Sequence, residues 1–391
     1  MKFGRIPLAL RSSLATMAAA CAVLSGCMAR APLDSDVSSY ERVTTSEIPS
    51  EHRAAQTSSP FRVVLIALDG ARWQDIFRGP DANLLAHEQS TRHLGATAEE
   101  LTPAIHALIS KGAAFGDADQ GSDFEATGPN FISLPGYTEM LTGRASVCQA
   151  NDCVMQPDET LADVFRAEPG AREEDVVVMS SWESISRVAA HDPTKVTVSC
   201  GRTHGDTRLS LDNDVMLGDL ETLGAQTSPA PGHDDYRPDV LTGPLAIEYL
   251  ARRAPRFMFL SLGDTDEFGH ADSYSDYLDA LQRADAIIGE LVRVNDALRG
   301  ATNTVWFVTA DHGRSLDFTD HGRAWPESKR SWLVASGAEV PKLGVVSHSM
   351  RHELRDIAPT VRAWLGLPLE DRDDAGLPIQ ELIGLRIDER P

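Results

Sequence analysis

Three mostly apolar, β-favouring runs of the chain each lead into a short segment that contains Asp, joined in two of the three by His. They are Arg62–Ala67 before Asp69-Gly70, Phe257–Leu262 before residues 264–270, and Thr304–Thr309 before Asp311-His312-Gly313. Runs of this composition indicate buried central strands of a parallel sheet. Because ligands of open α/β sheets bind outside the carboxyl ends of the strands, we expect the three polar segments to meet at one edge.

Helical periodicity and helix-end signals occupy the intervals between the apolar runs. Leu101–Lys111 has Pro103 in its first turn, and Ser133–Gly143 has an early proline and ends at a glycine. Further helices are predicted at 159–166, 184–190, 241–253, 274–298 and 355–365, with strands at 175–180 and 331–335 and a loop at 113–127. The alternation predicts an α/β, doubly wound fold in which helices flank a mostly parallel central sheet.

Residues 200–240 interrupt this alternation. The segment is polar and contains clusters of Gly, Pro and Asp. Such composition is typical of an insertion rather than of another strand–helix unit. We therefore predict one catalytic domain over residues 58–391, with a small insertion or cap over the sheet edge at about 200–240.

The N-terminus has the pattern of an export signal. Positive residues precede the apolar run Ser13–Val23, which is too short to span a bilayer and is followed by Leu24-Ser25-Gly26-Cys27. The last four residues resemble the bacterial lipobox, which implies removal of residues 1–26 and lipid on Cys27; an ordinary secretory signal is the alternative. Residues 27–57 are polar and aperiodic, which predicts a tether. We expect an exported, membrane-anchored lipoprotein of the outer membrane that faces the periplasm.

Export would permit disulfides. Of the five cysteines, Cys21 belongs to the predicted signal and Cys27 to the lipid attachment. Cys148 and Cys153 can close a small loop, and we predict that they pair and leave Cys200 over. A different pairing of the three remaining cysteines stays open.

Size and charge narrow the class of protein. The chain has 391 residues, 42% of them hydrophobic, which suffices for a large core. Its net charge of −22 argues against a nucleic-acid-binding protein, which would carry a basic surface. Excess negative charge affects solubility and does not identify a substrate, and the oligomeric state is not predicted.

Six residues at or near the strand ends form a candidate metal-binding set. Four residues separate Asp266 from His270, a spacing that places both side chains on one side of a helical turn. Oxygen and nitrogen ligands in this number suit two divalent ions about 4 Å apart, a geometry used for displacement at phosphorus. Zinc is the first expectation, and manganese stays open. The candidate ligands are Asp69, Asp266, His270, Asp311, His312 and His321.

The order of these motifs, over about residues 60–370, resembles the alkaline phosphatase superfamily and its nucleotide pyrophosphatase/phosphodiesterase-like branch. The resemblance implies an alkaline-phosphatase-like fold and a two-metal phosphoesterase. One zinc would be bound by Asp266, His270 and His321. The other would be bound by Asp69, Asp311 and His312 together with the nucleophile.

Ser133–Gly143 is similar in length and pattern to the nucleophile helix of that branch, with Gly136 and Tyr137 where Asn and His are common. Ser133 is therefore the expected nucleophile and metal ligand, since a helix N-terminus favours a bound phosphoryl group. Thr127 is the rival because it begins a Thr-x-Pro-Asn sequence, but it lies six residues further from the end of the motif. Asn151, or alternatively Asn130, would bind a phosphoryl oxygen.

We therefore predict a hydrolase that forms a phosphoseryl intermediate and cleaves phosphodiester or pyrophosphate bonds of small-molecule or nucleotide-like substrates. Phosphomonoesters come second, and a phosphonate hydrolase stays open. A sulfatase would need Cys/Ser-x-Pro-x-Arg, whereas Tyr137 stands at the arginine position. A phosphoglycerate-mutase-like role fits the ligands but not the export signal. A non-catalytic, metal-binding lipoprotein is the alternative from another class.

Overall fold

The structure describes most of the predicted catalytic domain. The computed structural model describes residues 61–153, 158–202, 214–298, 303–338 and 340–383. The predicted signal peptide (1–26), Cys27 and the predicted tether (27–57) lie outside these residues, and those predictions stay open.

A mostly parallel sheet of eight strands forms the centre of the fold. The described residues form ten strands, eight in this sheet and two in a separate pair: β1 (Arg62–Leu68), β2 (Ala113–Phe115), β3 (Phe124–Glu125), β4 (Val176–Ser180), β5 (Thr197–Cys200), β6 (Phe257–Leu262), β7 (Thr304–Thr309), β8 (Leu333–Gly337), β9 (Gly344–Val345) and β10 (His352–Glu353). The order in the sheet is β5-β4-β6-β1-β7-β8-β2-β9, and β3 pairs separately with β10. The first five strands of this order, β5, β4, β6, β1 and β7, are parallel to one another. Strand β8 is antiparallel to both of its neighbours, β7 and β2.

Helices flank the sheet, which confirms the predicted fold class. They are α1 (Trp73–Phe77), α2 (Ala82–His87), α3 (Ala98–Leu101), α4 (Pro103–Lys111), α5 (Ser133–Thr142), α6 (Leu161–Ala167), α7 (Val215–Gln226), α8 (Asp239–Arg253), α9 (Asp264–His270), α10 (Tyr274–Ala297), α11 (Ile357–Leu365) and α12 (Gln380–Ile383). Within the described residues, none of these helices has the length and apolarity needed to cross a membrane.

Alternate side chains of the central strands bury opposite faces of the sheet, as strand geometry requires. In β1, Val64, Ile66 and Leu68 join one apolar cluster with residues of α4, α8 and α10. The residues between them, such as Val63 and Leu65, join a second cluster with residues of α5 and α11. Burial on both faces explains why these strands have continuous apolar sequences.

The register of the three central strands brings their carboxyl ends together. Leu68 at the end of β1 pairs with Leu262 at the end of β6. Ala67 pairs with Thr309 at the end of β7. The polar segments that follow these strands therefore start from the same edge of the sheet, as expected from the sequence.

Short elements differ from the prediction. Strand β2 lies inside the segment 113–127 that was predicted as a loop, and β5 forms a sheet edge where no strand was predicted. Runs of three or four residues contain too little periodicity to separate a strand from a loop. The helix predicted at 184–190 is a single 3₁₀ turn, Glu183–Arg187.

The described part of residues 200–240 contains α7 and the irregular segment that follows it. Arg237 in this segment is buried and donates hydrogen bonds to the carbonyl oxygens of Ser180, at 3.2 Å, and Ser199, at 3.0 Å. These contacts attach the segment to β4 and β5. Its role as a cap over the sheet edge stays a prediction.

Candidate active site

The ends of β1 and β7 place three predicted ligand residues together. Nε2 of His312 lies 3.4 Å from Oδ1 of Asp69 and 3.4 Å from Oδ2 of Asp311. Gly70 donates its N–H to Oδ1 of Asp311 at 3.0 Å, which links the two strand ends directly. All three side chains are buried, so they face one another rather than bulk water.

A second group of predicted ligands lies beside the first. Asp266 and His270 lie on α9, four residues apart, and Nε2 of His270 is 3.1 Å from Oδ2 of Asp266. His321 comes from the loop after β7, and its Nε2 lies 3.0 Å from Nε2 of His270. The loop thus brings His321 next to two candidate ligands of α9, the nearer of which is 51 residues earlier in the sequence.

The ligand atoms form two overlapping sets among the described residues. One set is Asp266, His270 and His321, and the other is Asp69, Asp266 and His312, with the atoms of each set within 4.8 Å of one another. Asp266 therefore belongs to both sets, whereas the sequence assigned it to one. Asp311 lies outside both, next to His312.

The chemistry of these side chains fits divalent metal ions. Oδ2 of Asp311 is buried and accepts no hydrogen bond from any residue that the structure describes, so it is available as a ligand. Nδ1 of His312 lies 2.9 Å from the Gly313 carbonyl oxygen, an orientation that leaves Nε2 facing the carboxylates. Carboxylate oxygens and imidazole nitrogens suit zinc and manganese alike, so the residues fit a metal site without identifying the metal.

The electrostatics of the cluster point in the same direction. Burial, reinforced by Asp311 and Asp266, raises the pKa of Asp69 well above its usual value. Burial, reinforced by Asp266, likewise raises the pKa of Asp311. Burial lowers the pKa of His312 and His321, which favours neutral imidazoles. Buried carboxylates without enough positive charge are costly, and bound cations would supply that charge.

Asp266 differs from the other two carboxylates because it has a cationic partner. Burial opposes its ionisation, but the adjacent Arg314 guanidinium holds the pKa of Asp266 well below its usual range. The hydrogen bond that His270 donates to Asp266 raises the pKa of His270.

Ser133 is the first residue of α5 and lies against the ligand cluster. Its hydroxyl is 3.4 Å from Oδ1 of Asp69 and 3.4 Å from Nε2 of His312. The rival Thr127 lies elsewhere: its N–H donates to Glu139 at 2.8 Å, and its hydroxyl is 3.5 Å from Glu353. Of the two candidate nucleophiles, Ser133 contacts predicted metal ligands.

Asn151 lies at the same helix start. Its Oδ1 accepts the N–H of Leu134 at 3.0 Å, next to Ser133. The alternative, Asn130, donates its side-chain amide to the Gln149 carbonyl oxygen at 2.6 Å. Asn151 therefore adjoins the candidate nucleophile through α5, and the NH2 of its side-chain amide takes no part in that hydrogen bond.

The predicted cysteine pair closes the loop that contains Asn151. Cys148 and Cys153 are linked by a disulfide with an S–S distance of 2.02 Å. Among the described cysteines, Cys200 is left as a free, buried thiol, and burial raises its pKa to about 12.

Two residues of the site were missed at the sequence level. Tyr137, noted only as a departure from the family pattern, donates its hydroxyl to Oδ2 of Asp69 at 3.0 Å. Arg314 directly follows Asp311-His312-Gly313 and contacts Asp266. A basic residue directly after the Asp311-His312-Gly313 segment was a usable signal for Arg314.

Sequence comparisons agree with a metal-binding site of the metalloenzyme type. The model of the Metalloenzyme superfamily matches residues 245–367. The chain is similar to the 2,3-bisphosphoglycerate-independent phosphoglycerate mutase of Halobacterium salinarum, with 27% identity over 188 residues, 46% of this chain and 35% of that protein. The enzyme of the same name from Synechococcus sp. is 28% identical over 139 residues, 32% of this chain and 24% of that protein. These matches span about a third and a quarter of the relatives' length.

Solved structures share the fold. A 2-O GAG sulfatase gives a TM-score of 0.55 at 13% identity, over 83% of this chain and 74% of that chain. The phosphonate monoester hydrolase of Agrobacterium radiobacter gives a TM-score of 0.52 at 16% identity, over 83% of this chain and 77% of that chain. The lipoteichoic acid synthase LtaP of Listeria monocytogenes gives a TM-score of 0.52 at 10% identity, over 86% of this chain and 80% of that chain. The chain shares the α/β fold of these structures, with helices on a mostly parallel central sheet. The alkaline phosphatase superfamily and its nucleotide pyrophosphatase/phosphodiesterase-like branch stay predictions.

Proposed function

We propose that the protein is a two-metal phosphoester hydrolase that acts on phosphodiester or pyrophosphate bonds and uses Ser133 as its nucleophile. The observation that carries the proposal is the position of the Ser133 hydroxyl, 3.4 Å from both Asp69 and His312 at the start of α5. A hydroxyl surrounded by candidate metal ligands at a helix N-terminus suits attack on a phosphoryl group.

The residues that would hold the metals are the two overlapping sets together with Asp311 and Ser133. When bound, divalent ions supply Lewis-acid stabilisation of negative oxygens and lower the pKa of a hydroxyl that they coordinate. Ser133 would attack phosphorus, the leaving alcohol or phosphate would depart opposite the new bond, and water would then cleave the phosphoseryl ester. The side-chain amide of Asn151 would donate to a phosphoryl oxygen, which holds the group in line with Ser133.

Charge near the nucleophile favours a phosphodiester over a phosphomonoester. Arg314 donates to Asp266 and to the carbonyl oxygens of Phe318, at 2.6 Å, and Thr319, at 2.8 Å, so its guanidinium is already committed. The proposed phosphoryl contact, Asn151, is neutral. A diester has a single negative charge, whereas a monoester has between one and two near neutral pH and needs more compensation.

The position of Tyr137 argues against a sulfatase. In Ser133-x-Pro135-x-Tyr137 the tyrosine stands where the sulfatase motif has arginine, and its hydroxyl is bound to Asp69. Phosphoglycerate mutase activity is the second candidate, because both curated relatives have that name. Conversion of 3-phosphoglycerate to 2-phosphoglycerate would favour it.

Hydrolysis of bis-p-nitrophenyl phosphate and of p-nitrophenyl phosphate tests the proposal. The protein from Pro32 onward would be assayed with zinc, with manganese and with a chelator, beside Ser133→Ala and Thr127→Ala. We expect diester turnover that exceeds monoester turnover and that is lost with the chelator and with Ser133→Ala. Loss with Thr127→Ala alone would reassign the nucleophile, and metal binding without turnover of either ester would contradict the proposal.

We also propose export and lipid attachment at Cys27, on the basis of the N-terminal sequence. Cys27→Ser should move the protein from the membrane fraction to the soluble periplasmic fraction. Unchanged membrane association of that variant would contradict the lipid anchor.

A further inference from the structure

Tyr137 lies on the same face of α5 as Ser133, four residues further along the helix. Its side chain is fully buried, and its ring makes a T-shaped contact with the ring of Phe259 at a centroid distance of 6.0 Å. Its hydroxyl reaches Oδ2 of Asp69, to which it donates at 3.0 Å. The helix that presents the candidate nucleophile therefore also contacts one of the candidate metal ligands.

A second hydrogen bond orients the Tyr137 hydroxyl. Ser261 of β6 donates its hydroxyl to the Tyr137 oxygen at 2.7 Å. Since Ser261 donates to the phenol oxygen, the single phenol proton is directed to Asp69. Ser261 pairs with Ala67 of β1, two residues before Asp69, so the chain of hydrogen bonds spans neighbouring strands at the edge that forms the site.

This arrangement gives the two oxygens of Asp69 different roles. Oδ2 accepts the hydrogen bond from the Tyr137 hydroxyl. Oδ1 lies 3.4 Å from the Ser133 hydroxyl and 3.4 Å from Nε2 of His312. The hydroxyl of Thr265 holds the backbone of Asp69 through its carbonyl oxygen, at 2.6 Å. Both the backbone and one oxygen of Asp69 are thus restrained, and Oδ1 faces the candidate metal ligands.

Gly136 explains how the helix comes close enough for this contact. A Cβ atom at Gly136 would overlap the carbonyl oxygen of Asp311 and contact the side chain of the same residue. Only glycine lets α5 lie directly on the backbone that follows β7. The two positions at which the sequence departs from the family pattern, Gly136 and Tyr137, therefore act together: one allows the approach and the other fills the space with a hydroxyl directed at Asp69.

We propose that Tyr137 is a positioning residue that holds Asp69 as a one-oxygen metal ligand facing Ser133, and that Gly136 makes this contact sterically allowed. The inference rests on the two-metal site of the proposed function. Hydrogen-bond partners that orient metal ligands commonly change metal affinity or activity by about 10- to 100-fold when they are removed. An effect through Asp69 should be confined to one of the two metal sites.

The test is zinc affinity measured without substrate, by competition with a chromophoric chelator, for the wild type and Tyr137→Phe. We expect two dissociation constants in the wild type, of which Tyr137→Phe weakens one by about 10- to 100-fold and leaves the other unchanged. Tyr249→Phe is the matched control. Tyr249 is equally buried, donates its hydroxyl to the Glu174 carbonyl oxygen at 2.9 Å, and lies outside the site, so both constants should stay at wild-type values.

Gly136→Ala tests the same contact from the neighbouring residue and should weaken the same zinc site. Melting temperatures of all variants in the presence of chelator would separate loss of fold from loss of metal affinity. Wild-type zinc constants in a folded Tyr137→Phe protein would overturn the proposal, since a residue that only fills the core would lower the melting temperature alone. A wild type that binds two zinc ions without cleaving phosphoesters would contradict the proposed function while leaving this test valid.

Discussion

Arg314 contacts Asp266, the carboxylate that both ligand sets share among the described residues. The guanidinium is fully buried and also donates to the carbonyl oxygens of Phe318 and Thr319. Gly269 of the Asp-x-x-Gly-His motif makes room for it, since a Cβ atom there would overlap the guanidinium. Arg314 therefore connects the carboxylate to the loop that leads to His321.

Replacement of Arg314 with Met should destabilise the metal-free protein. Removing one partner of a buried ion pair typically costs about 3–5 kcal/mol of unfolding free energy, because the other charge stays buried. Zinc should restore part of this loss, since a cation near Asp266 again compensates its charge. Urea unfolding with chelator and with zinc measures both values. Arg323→Met, at an exposed position of the same loop, is the control, and an Arg314→Met deficit that zinc leaves unchanged would contradict the assigned role.

The central strands and the clustering of the candidate ligands could be predicted because their signals are local. Continuous apolar runs mark the buried strands β1, β6 and β7, and the polar residues directly after them mark the site edge. The spacing of Asp266 and His270 likewise anticipates one face of a helix, which the structure provides as α9. Each of these inferences needed only neighbouring residues.

The parts that could not be predicted depend on contacts between distant segments. Asp266 lies between the two ligand sets only because α9 follows a strand adjacent to β1, and no local pattern encodes that position. In the sequence Tyr137 is only a departure from a motif, because its hydrogen-bond partner, Asp69, lies 68 residues earlier. The strands β2 and β5 were missed because pairing with their neighbours, rather than their own sequence, makes them strands.

The buried Glu139 should make the free energy of unfolding depend on pH. It lies on α5, the helix that begins at the candidate nucleophile Ser133, and burial raises the pKa of Glu139 to about 7 from its ordinary value of 4.5, although the Thr127 N–H opposes the shift. The folded state thus prefers the protonated acid, so its contribution to stability is complete below about pH 4.5 and is lost as the pH rises to about 7. A shift of this size corresponds to about 3 kcal/mol.

Glu139→Gln should remove this dependence and make the protein more stable than the wild type at pH 8, by up to about 3 kcal/mol, with little difference at pH 5. Unfolding free energies of the two proteins between pH 5 and 8 measure the effect. Exposed Glu99, whose pKa is lowered by backbone and Thr97 hydrogen bonds, is the control, because Glu99→Gln should give no such gain. Parallel wild-type and Glu139→Gln curves would contradict the prediction.

The Cys148–Cys153 disulfide should matter more for catalysis than for folding. Its loop is short, so the chain-entropy estimate of its stabilisation is only about 2 kcal/mol. The same loop holds Asn151 at the start of α5, and we expect the double variant Cys148→Ser/Cys153→Ser to stay folded and lose diester turnover. Thermal melting and kcat/KM test both statements. Cys200→Ser should keep wild-type turnover, and a fully active double variant would show that the loop does not need the bridge.

Asn151 offers a separation of stability from catalysis. Its Oδ1 accepts the Leu134 N–H at 3.0 Å, which satisfies a backbone group at the start of α5, and its amide is proposed to contact the phosphoryl group. Asn151→Asp keeps the acceptor and adds a negative charge next to the phosphate, whereas Asn151→Ala removes both functions.

We therefore expect kcat/KM to fall in the order wild type, Ala, Asp, with the Ala variant reduced by about 10²–10³. Stability should follow a different order, with Asp at least as stable as Ala, because a carboxylate is favourable at a helix N-terminus. Steady-state kinetics and thermal melting of the three proteins give both orders, and an Asp variant more active than the Ala variant would rule out the phosphoryl contact.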